Sequence, residues 1–348
     1  MTSLERVLTT LQHKEPDRVP LFLLLSLHGA KELGLSIEEY FSKAEHVVEG
    51  QLKLRDKYKL DCIYNFYYAA VEVEVWGGDV RYIPDGPPNS GTPFIRNPDD
   101  IKRIKPPLIK HAPCLQKVLQ SCEMLKMKVG DDAPIIGVVI SPFSVPVMQM
   151  GFDKYLELMY DNSGLFDQLM TLNETFCVEW ANAQLEAGAT AIVYFDPVSS
   201  PSMVPREFYL ETGYKIAQRT LSQINGPTAT HLASGRGLPI VDDVARTGTQ
   251  ILGVSVLEDL ATIKQACKNK LTVLGNLNGV EMRRWTEDQT IAVVKDCIAK
   301  AGPGGGFILA DNHGEIPWQV SDDVLSGISR AVQEWGHYPL EWINENGD

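Results

Sequence analysis

Three kinds of side chain in this sequence could do chemistry if a fold gathers them: imidazoles, carboxylates and small polar groups ending apolar runs. Of seven histidines, His231 and His313 stand at or just past the ends of two such runs, and Asp196 ends a third. Two imidazoles and a carboxylate with an open fourth position suit a catalytic zinc or another divalent ion. The plainer alternatives are a hydrogen-bonded core histidine at His231 and an Asp196-Pro197 turn. Glu72 and Glu74 alternate, so an extended backbone would put both on one face. Glu72 and Asp196 are the candidate catalytic carboxylates, Glu72 as a base or charge partner. A solvated edge is the alternative for Glu72. His28, Asn65, Ser141, Asn276 and Asp311 also end apolar runs. Buried polar groups are costly unless satisfied or used, which makes these five candidate substrate contacts. His13, His46, His111 and His337 read as surface residues.

The elements that must position these groups recur along the chain. Eight short apolar or β-branched runs occur at 20–25, 61–66, 135–141, 190–196, 227–233, 249–255, 271–277 and 306–311. Their near-continuous apolar character predicts strands buried on both faces. Helix signals lie between them. Ser36 with Glu39 forms a capping box before a run to about Leu60, and Pro205 opens a run to about Ile224. Thr286 with Gln289 and then Ser321 cap the last two helices. Eight strands alternating with helices predict an α/β fold, a single (β/α)8 barrel spanning 1–348. An open doubly wound sheet would want a Gly-rich phosphate loop after its first strand, and the chain has none. Gly304-Gly305-Gly306 enters a strand instead of opening a helix, so it reads as a tight turn. A long insertion follows the second strand, at about 67–134. Its Pro84–Gly91 stretch suggests a functional loop over the barrel mouth, or else a small extra hairpin.

The chain has 348 residues, 44% hydrophobic and 22% charged, enough for a large core, with a net charge of −13. That acidity argues against nucleic acid or anionic lipid as a partner. No apolar run is long enough for a bilayer. The six cysteines show no CxxC pairing and read as reduced thiols. The opening segment carries Glu5 and Arg6 at helical spacing and reads as no cleavable leader. A cytoplasmic location is therefore expected.

Several motifs carry a family resemblance. Arg6-Val7-Leu8 with Glu15-Pro16-Asp17-Arg18-Val19-Pro20 resembles the start of the uroporphyrinogen decarboxylase superfamily. The likeness continues through Val71–Gly77, Asp196-Pro197, His231–Gly235 and Gly304–Leu309. It implies a (β/α)8 barrel. True decarboxylases carry an Arg-Gln-Ala-Gly-Arg stretch and a Phe-Ser-Asp, where this chain has Ser26–Ala30 and Phe66-Tyr67-Tyr68. Asn312–Pro317 does look like the decarboxylase His-Gly-Ile motif. The Val71–Gly77 segment is more similar to the cobalamin-dependent methyltransferases, such as the methylcobamide:coenzyme M enzymes. Their zinc is held by a His-x-Cys pair and a later Cys. His231 matches the His, Ala233 stands at the first Cys, and His313 lies about where the second would be. Asp196, Glu211 and His231 loosely echo the zinc sites of corrinoid-dependent O-demethylases. The resemblance implies methyl transfer between a small methylated substrate and a corrinoid (cobalamin) on a partner protein. No Asp-x-His-x-x-Gly corrinoid motif occurs in the chain. Monomer and homodimer both stay open. The alternatives are a lyase acting on a non-porphyrin carboxylic acid, with His313 as proton donor, and a non-catalytic corrinoid- or tetrapyrrole-binding protein.

Overall fold

The computed structural model of the chain describes residues 1–345. Seven strands run parallel in one curled sheet: β1 (Ile63–Tyr64), β4 (Ile135–Ile140), β5 (Ala191–Phe195), β6 (Thr228–His231), β7 (Ile251–Gly253), β8 (Thr272–Leu277) and β9 (Phe307–Asp311). Each pairs with the next in that order. The first apolar run is the eighth stave, though it forms hardly any ladder. Phe22 N–H donates to Leu309 O and Leu309 N–H to Pro20 O, both at 2.9 Å, while Asp61 N–H donates to Leu21 O at 2.8 Å. Those bonds bring 20–25 between β9 and β1 and close the ring. Pro20 has no N–H to donate, so one rung cannot form.

Alternate strand residues face opposite sides, which builds two apolar layers. Phe22, Leu24, Tyr64, Ile136, Val138, Ile140, Val193, Phe195, Ala229, Leu274, Ile308 and Ala310 fill the barrel interior. Residues of opposite parity, such as Val139, Ile192 and Tyr194, pack outward against helices. This two-sided burial explains the unbroken apolar runs.

The expected helices form, with breaks that periodicity alone did not show. The capping box at Ser36 starts the short helix Ile37–Ser42, and extended Lys43 separates it from Ala44–Tyr58. The run from Pro205 breaks at Thr212 into Arg206–Glu211 and Gly213–Leu221. Thr286 and Ser321 cap their helices as the sequence indicates. No helix among the described residues is long and apolar enough to cross a membrane.

The stretch 67–134 is not one loop. It holds the helix Val71–Glu74, an antiparallel hairpin of β2 (Val80–Ile83) and β3 (Gly86–Ser90), short 3-10 turns and the helix Pro113–Val129. The hairpin tip reaches the segment after β9, where Gln319 Nε2 donates to Asp85 O at 3.0 Å.

The N-terminal end of the barrel is sealed by charge pairing. Buried Asp61 accepts hydrogen bonds from Arg6 Nη1 (2.6 Å), Arg18 Nη1 (2.8 Å), Arg18 Nη2 (3.1 Å) and the Leu21 N–H (2.8 Å). Both Arg6 and Arg18 are themselves buried.

Candidate functional site

The opposite, C-terminal end is where barrels of this kind carry their chemistry. His231 ends β6 with its ring inside the barrel, against Phe195 at a centroid distance of 4.7 Å. A Cβ at Gly253 would lie 2.3 Å from His231 Cδ2, so the neighbouring strand must carry glycine there. Nδ1 accepts the Ala233 N–H at 3.0 Å, from a turn in which Ala233 has φ +50°. Nε2 is buried without a partner. Burial, helped by the nearby His313, lowers the His231 pKa to about 3. The neutral ring, its Nδ1 accepting, therefore carries its proton on Nε2.

The segment after β9 folds over this ring. Asp311 Oδ2 accepts the N–H groups of His313 (2.9 Å) and Gly314 (3.1 Å), and Oδ1 accepts that of Leu24 (3.4 Å). Tyr64 donates its hydroxyl to Gly314 O at 3.0 Å. Gly314, at φ +87°, presses on Phe195 so closely that a Cβ would lie 2.4 Å from the ring. Beneath it the rings of Phe22, Tyr64, Phe66 and Phe195 run in a connected series, 5.4 to 6.3 Å between neighbouring centroids. Glu315 completes the loop. One of its oxygens accepts the Ser26 hydroxyl and the other, Oε1, is buried without a partner. Burial pushes its acid up to about 8 and that of Asp311 to about 6. His313 is half-buried, and burial lowers its pKa as well.

The other sequence candidates are placed elsewhere. Asp196 is buried, but its oxygens are taken: Oδ1 by Ser141 (2.6 Å) and Ser144 (2.7 Å), Oδ2 by Ser199 (2.5 Å). Burial raises its acid and the three serines oppose that. Asn65 turns outward, donating to Val118 O and accepting from Ser121. Asn276 turns toward Ser255 O and Cys297. His28 is buried with both ring nitrogens unpartnered, tilted against Trp318 at 6.2 Å, and burial lowers its pKa to about 3. Glu72 lies on a helical turn rather than an extended segment, so it and Glu74 diverge. Glu74 meets Tyr68. Glu72 is set in the barrel wall, where Oε1 accepts the Ile140 N–H at 2.9 Å. Its other neighbours are Trp180 and Cys177 of the outer helix Ser163–Glu186, and burial raises its acid to about 8. Glu211 is exposed on the outer flank, paired with Lys215.

The expected zinc set is therefore not assembled. Among the described residues no three His, Cys, Asp or Glu side chains gather in a way that could hold a metal ion. The donor chemistry gives the reason. Asp196 spends both oxygens on serines, and His231 presents a proton rather than a lone pair at Nε2. The residues present do not fit the metal.

A sequence profile described as uroporphyrinogen decarboxylase (URO-D) matches residues 2–335. The chain belongs to the uroporphyrinogen decarboxylase family. Among family relatives, the methylcobamide:CoM methyltransferase MtaA of Methanosarcina barkeri (strain Fusaro) is 24% identical over 282 residues. That match covers 78% of this chain and 81% of the relative. The uroporphyrinogen decarboxylase of Coxiella burnetii (strain Dugway) is 22% identical over 363 residues, covering 98% and 97%. Both branches thus lie at similar distance. A solved methyltransferase from Methanosarcina mazei superposes with a TM-score of 0.82 at 23% identity, covering 96% of this chain and 99% of that one. The likeness fixes the family and its barrel fold, and methyltransferases of the kind the sequence motifs resemble stand among the relatives beside the decarboxylases.

Sequence reasoning passed over Glu315 and the aromatic series. Glu315 carried a signal, being a carboxylate in an otherwise uncharged stretch, Asn312–Pro317, just after an apolar run. The aromatic residues carried none, since aromatic strand residues are ordinary core.

Proposed function

We propose that this chain is a methyltransferase, moving a methyl group between a small methylated substrate and a corrinoid carried by a partner protein. One observation supports it above the decarboxylase reading. The mouth is walled by Phe66, Phe195 and Tyr64, with neutral His231 and the carboxyl groups of Glu315 and Asp311, and among the described residues no fully buried Lys or Arg stands at this end. The buried arginines among the described residues, Arg6 and Arg18, sit at the other end on Asp61. A substrate bearing several carboxylates needs cations, because unpaired buried charge is prohibitively costly. A neutral methylated molecule needs an apolar wall and a few aimed hydrogen bonds, as most small-molecule sites provide.

In this reading the chain binds and orients the donor, excludes water and stabilises the group left behind. The reduced corrinoid on its partner supplies the nucleophile. Displacement needs a nearly linear approach, so positioning is the main demand on the barrel. Zinc enters no step here, since the side chains present do not hold it. Glu72 and Asp196 act, in the same reading, as supports of the wall and of the strand ends.

The test is the visible spectrum of a reduced corrinoid protein mixed with this chain and methoxy, methylamine or methanol donors. The expected result is loss of the Co(I) band as methyl-Co(III) grows. No change with any donor, nor in reverse with thiol or folate acceptors, overturns the reading in favour of a lyase.

A further inference from the structure

The tautomers of the two mouth histidines can be read from groups that have no choice of role. A backbone N–H only donates and a backbone carbonyl only accepts. At His231 the Ala233 N–H faces Nδ1, which must offer a lone pair. At His313 the neighbour is the Asn312 amide, whose orientation two backbone groups decide. Leu277 O, at 3.0 Å, requires the amide nitrogen, and Val256 N–H, at 3.3 Å, requires the amide oxygen. So oriented, the same nitrogen donates to His313 Nδ1 at 2.7 Å. In both neutral rings the proton then sits on Nε2. Both rings stand at the same end of the barrel, His231 at the end of β6 and His313 two residues past the end of β9.

We infer that His231 and His313 form a pair of Nε2–H donors that hold an oxygen atom of the substrate, and that they are not ligands of a metal. Ligation through Nε2 would move each proton to Nδ1, setting donor against donor at Ala233 and at Asn312. Each such clash leaves buried polar groups unpaired, which a folded chain avoids. Two N–H donors in a water-poor site suit an oxygen that gains charge during reaction. Resting on the methyltransferase reading, this names the substrate class as a methoxy compound. The methyl–oxygen bond breaks, its electron pair stays on the oxygen under the two donors, and the corrinoid's reduced cobalt provides the pair for the new bond to carbon. A sulfur leaving atom, a weak acceptor, would gain less from such donors.

The primary test is long-range proton–nitrogen NMR of the whole chain with 15N-labelled histidine, before and after one equivalent of zinc chloride. The expected result is an Nε2–H pattern for both residues, unmoved by zinc. An Nδ1–H pattern, or zinc-dependent shifts of both rings, overturns the inference. Asn312→Leu keeps both rings and should mix the His313 tautomers; an unaltered pattern counts against the role given to Asn312 and hence against the pair. Turnover of 2-methoxyphenol with a reduced corrinoid protein gives the second arm. His231→Gln keeps an N–H near the same place and should lose no more than about tenfold, while His231→Leu should lose roughly 10²–10³-fold. Equal losses refute the donor role. Should the wild type transfer no methyl group, the methyltransferase reading fails by itself. The pair is then judged by the NMR pattern and by calorimetric binding of 2-methoxyphenol, in which Gln should again exceed Leu.

Discussion

The Asp61 cluster at one end of the barrel and the mouth at the other handle buried polarity in opposite ways. At the N-terminal end Asp61 accepts four close hydrogen bonds from two arginines and the Leu21 N–H, and each charge there has its counterpart. At the C-terminal end His231 Nε2, Glu315 Oε1 and both nitrogens of His28 are buried with no partner. Native interiors rarely leave such atoms unpaired. One end is built for its own stability, and the other gives up stability to leave groups free for something else to meet.

That contrast can be broken most severely at Asp61. Asp61→Ala leaves the buried Arg18 guanidinium without its carboxylate and Arg6 with Asp17 alone, and should cost about 3–5 kcal/mol in denaturant unfolding. Methyl transfer by the fraction that stays folded should be unchanged, and a loss of activity at full occupancy of the fold would blur the division between the ends.

Glu72 tests the wall. Its acid rises from the ordinary 4.5 to about 8 in the fold, so between those values the folded chain holds a proton that the unfolded chain has released. Stability from this residue thus falls as pH rises from about 4.5 and levels off above about 8. Glu72→Gln keeps an acceptor for the Ile140 N–H and should stabilise the chain by on the order of 2 kcal/mol at pH 8, with no gain at pH 4. Unfolding curves at the two pH values decide it. A gain of equal size at both would show that the charge is not the cause.

A smaller effect is expected at the loop over His231. Tyr64→Phe removes the bond to Gly314 O, worth about 0.5–1.5 kcal/mol, and should speed amide exchange at His313 and Gly314 by up to about tenfold. Exchange at Val138 and Val193 should not change. The smallest effect belongs to the flank. Glu211→Gln breaks an exposed pair with Lys215 and should move stability by less than about 0.5 kcal/mol, without altering turnover.

Much of the barrel was legible because a strand buried on both faces writes itself as an unbroken apolar run. Seven of the eight runs contain ladder-forming strands, and the capping boxes at Ser36 and Thr286 mark true helix starts. The site was legible only to the nearest end. Run ends pointed to the mouth, but side chains alternate with a period of two, and the sequence does not show where a strand's parity leads at its last residue. Asn65 and Ser141 therefore face outward, next to Tyr64 and Ile140, which face in. His231 shares the parity of Ala229 and faces in. Glu72 was misread for another reason: alternation of Val and Glu suits a strand, yet a single helical turn at Val71–Glu74 satisfies the chain's path from β1 to the hairpin. The tautomers were out of reach altogether, since they depend on contacts among Ala233, Val256, Leu277 and Asn312.

The seam at 20–25 has a consequence for how the chain assembles. Its partners are Asp61, soon after it, and Leu309, near the far end of the sequence. The stave that leaves the ribosome first cannot take its final place until β9 exists. Until then β1 and β9 are bare edges of a parallel sheet, and bare edges recruit strands from other molecules. Docking of 20–25 covers both edges at once, so the few hydrogen bonds that hold it also close the sheet to strands from other molecules.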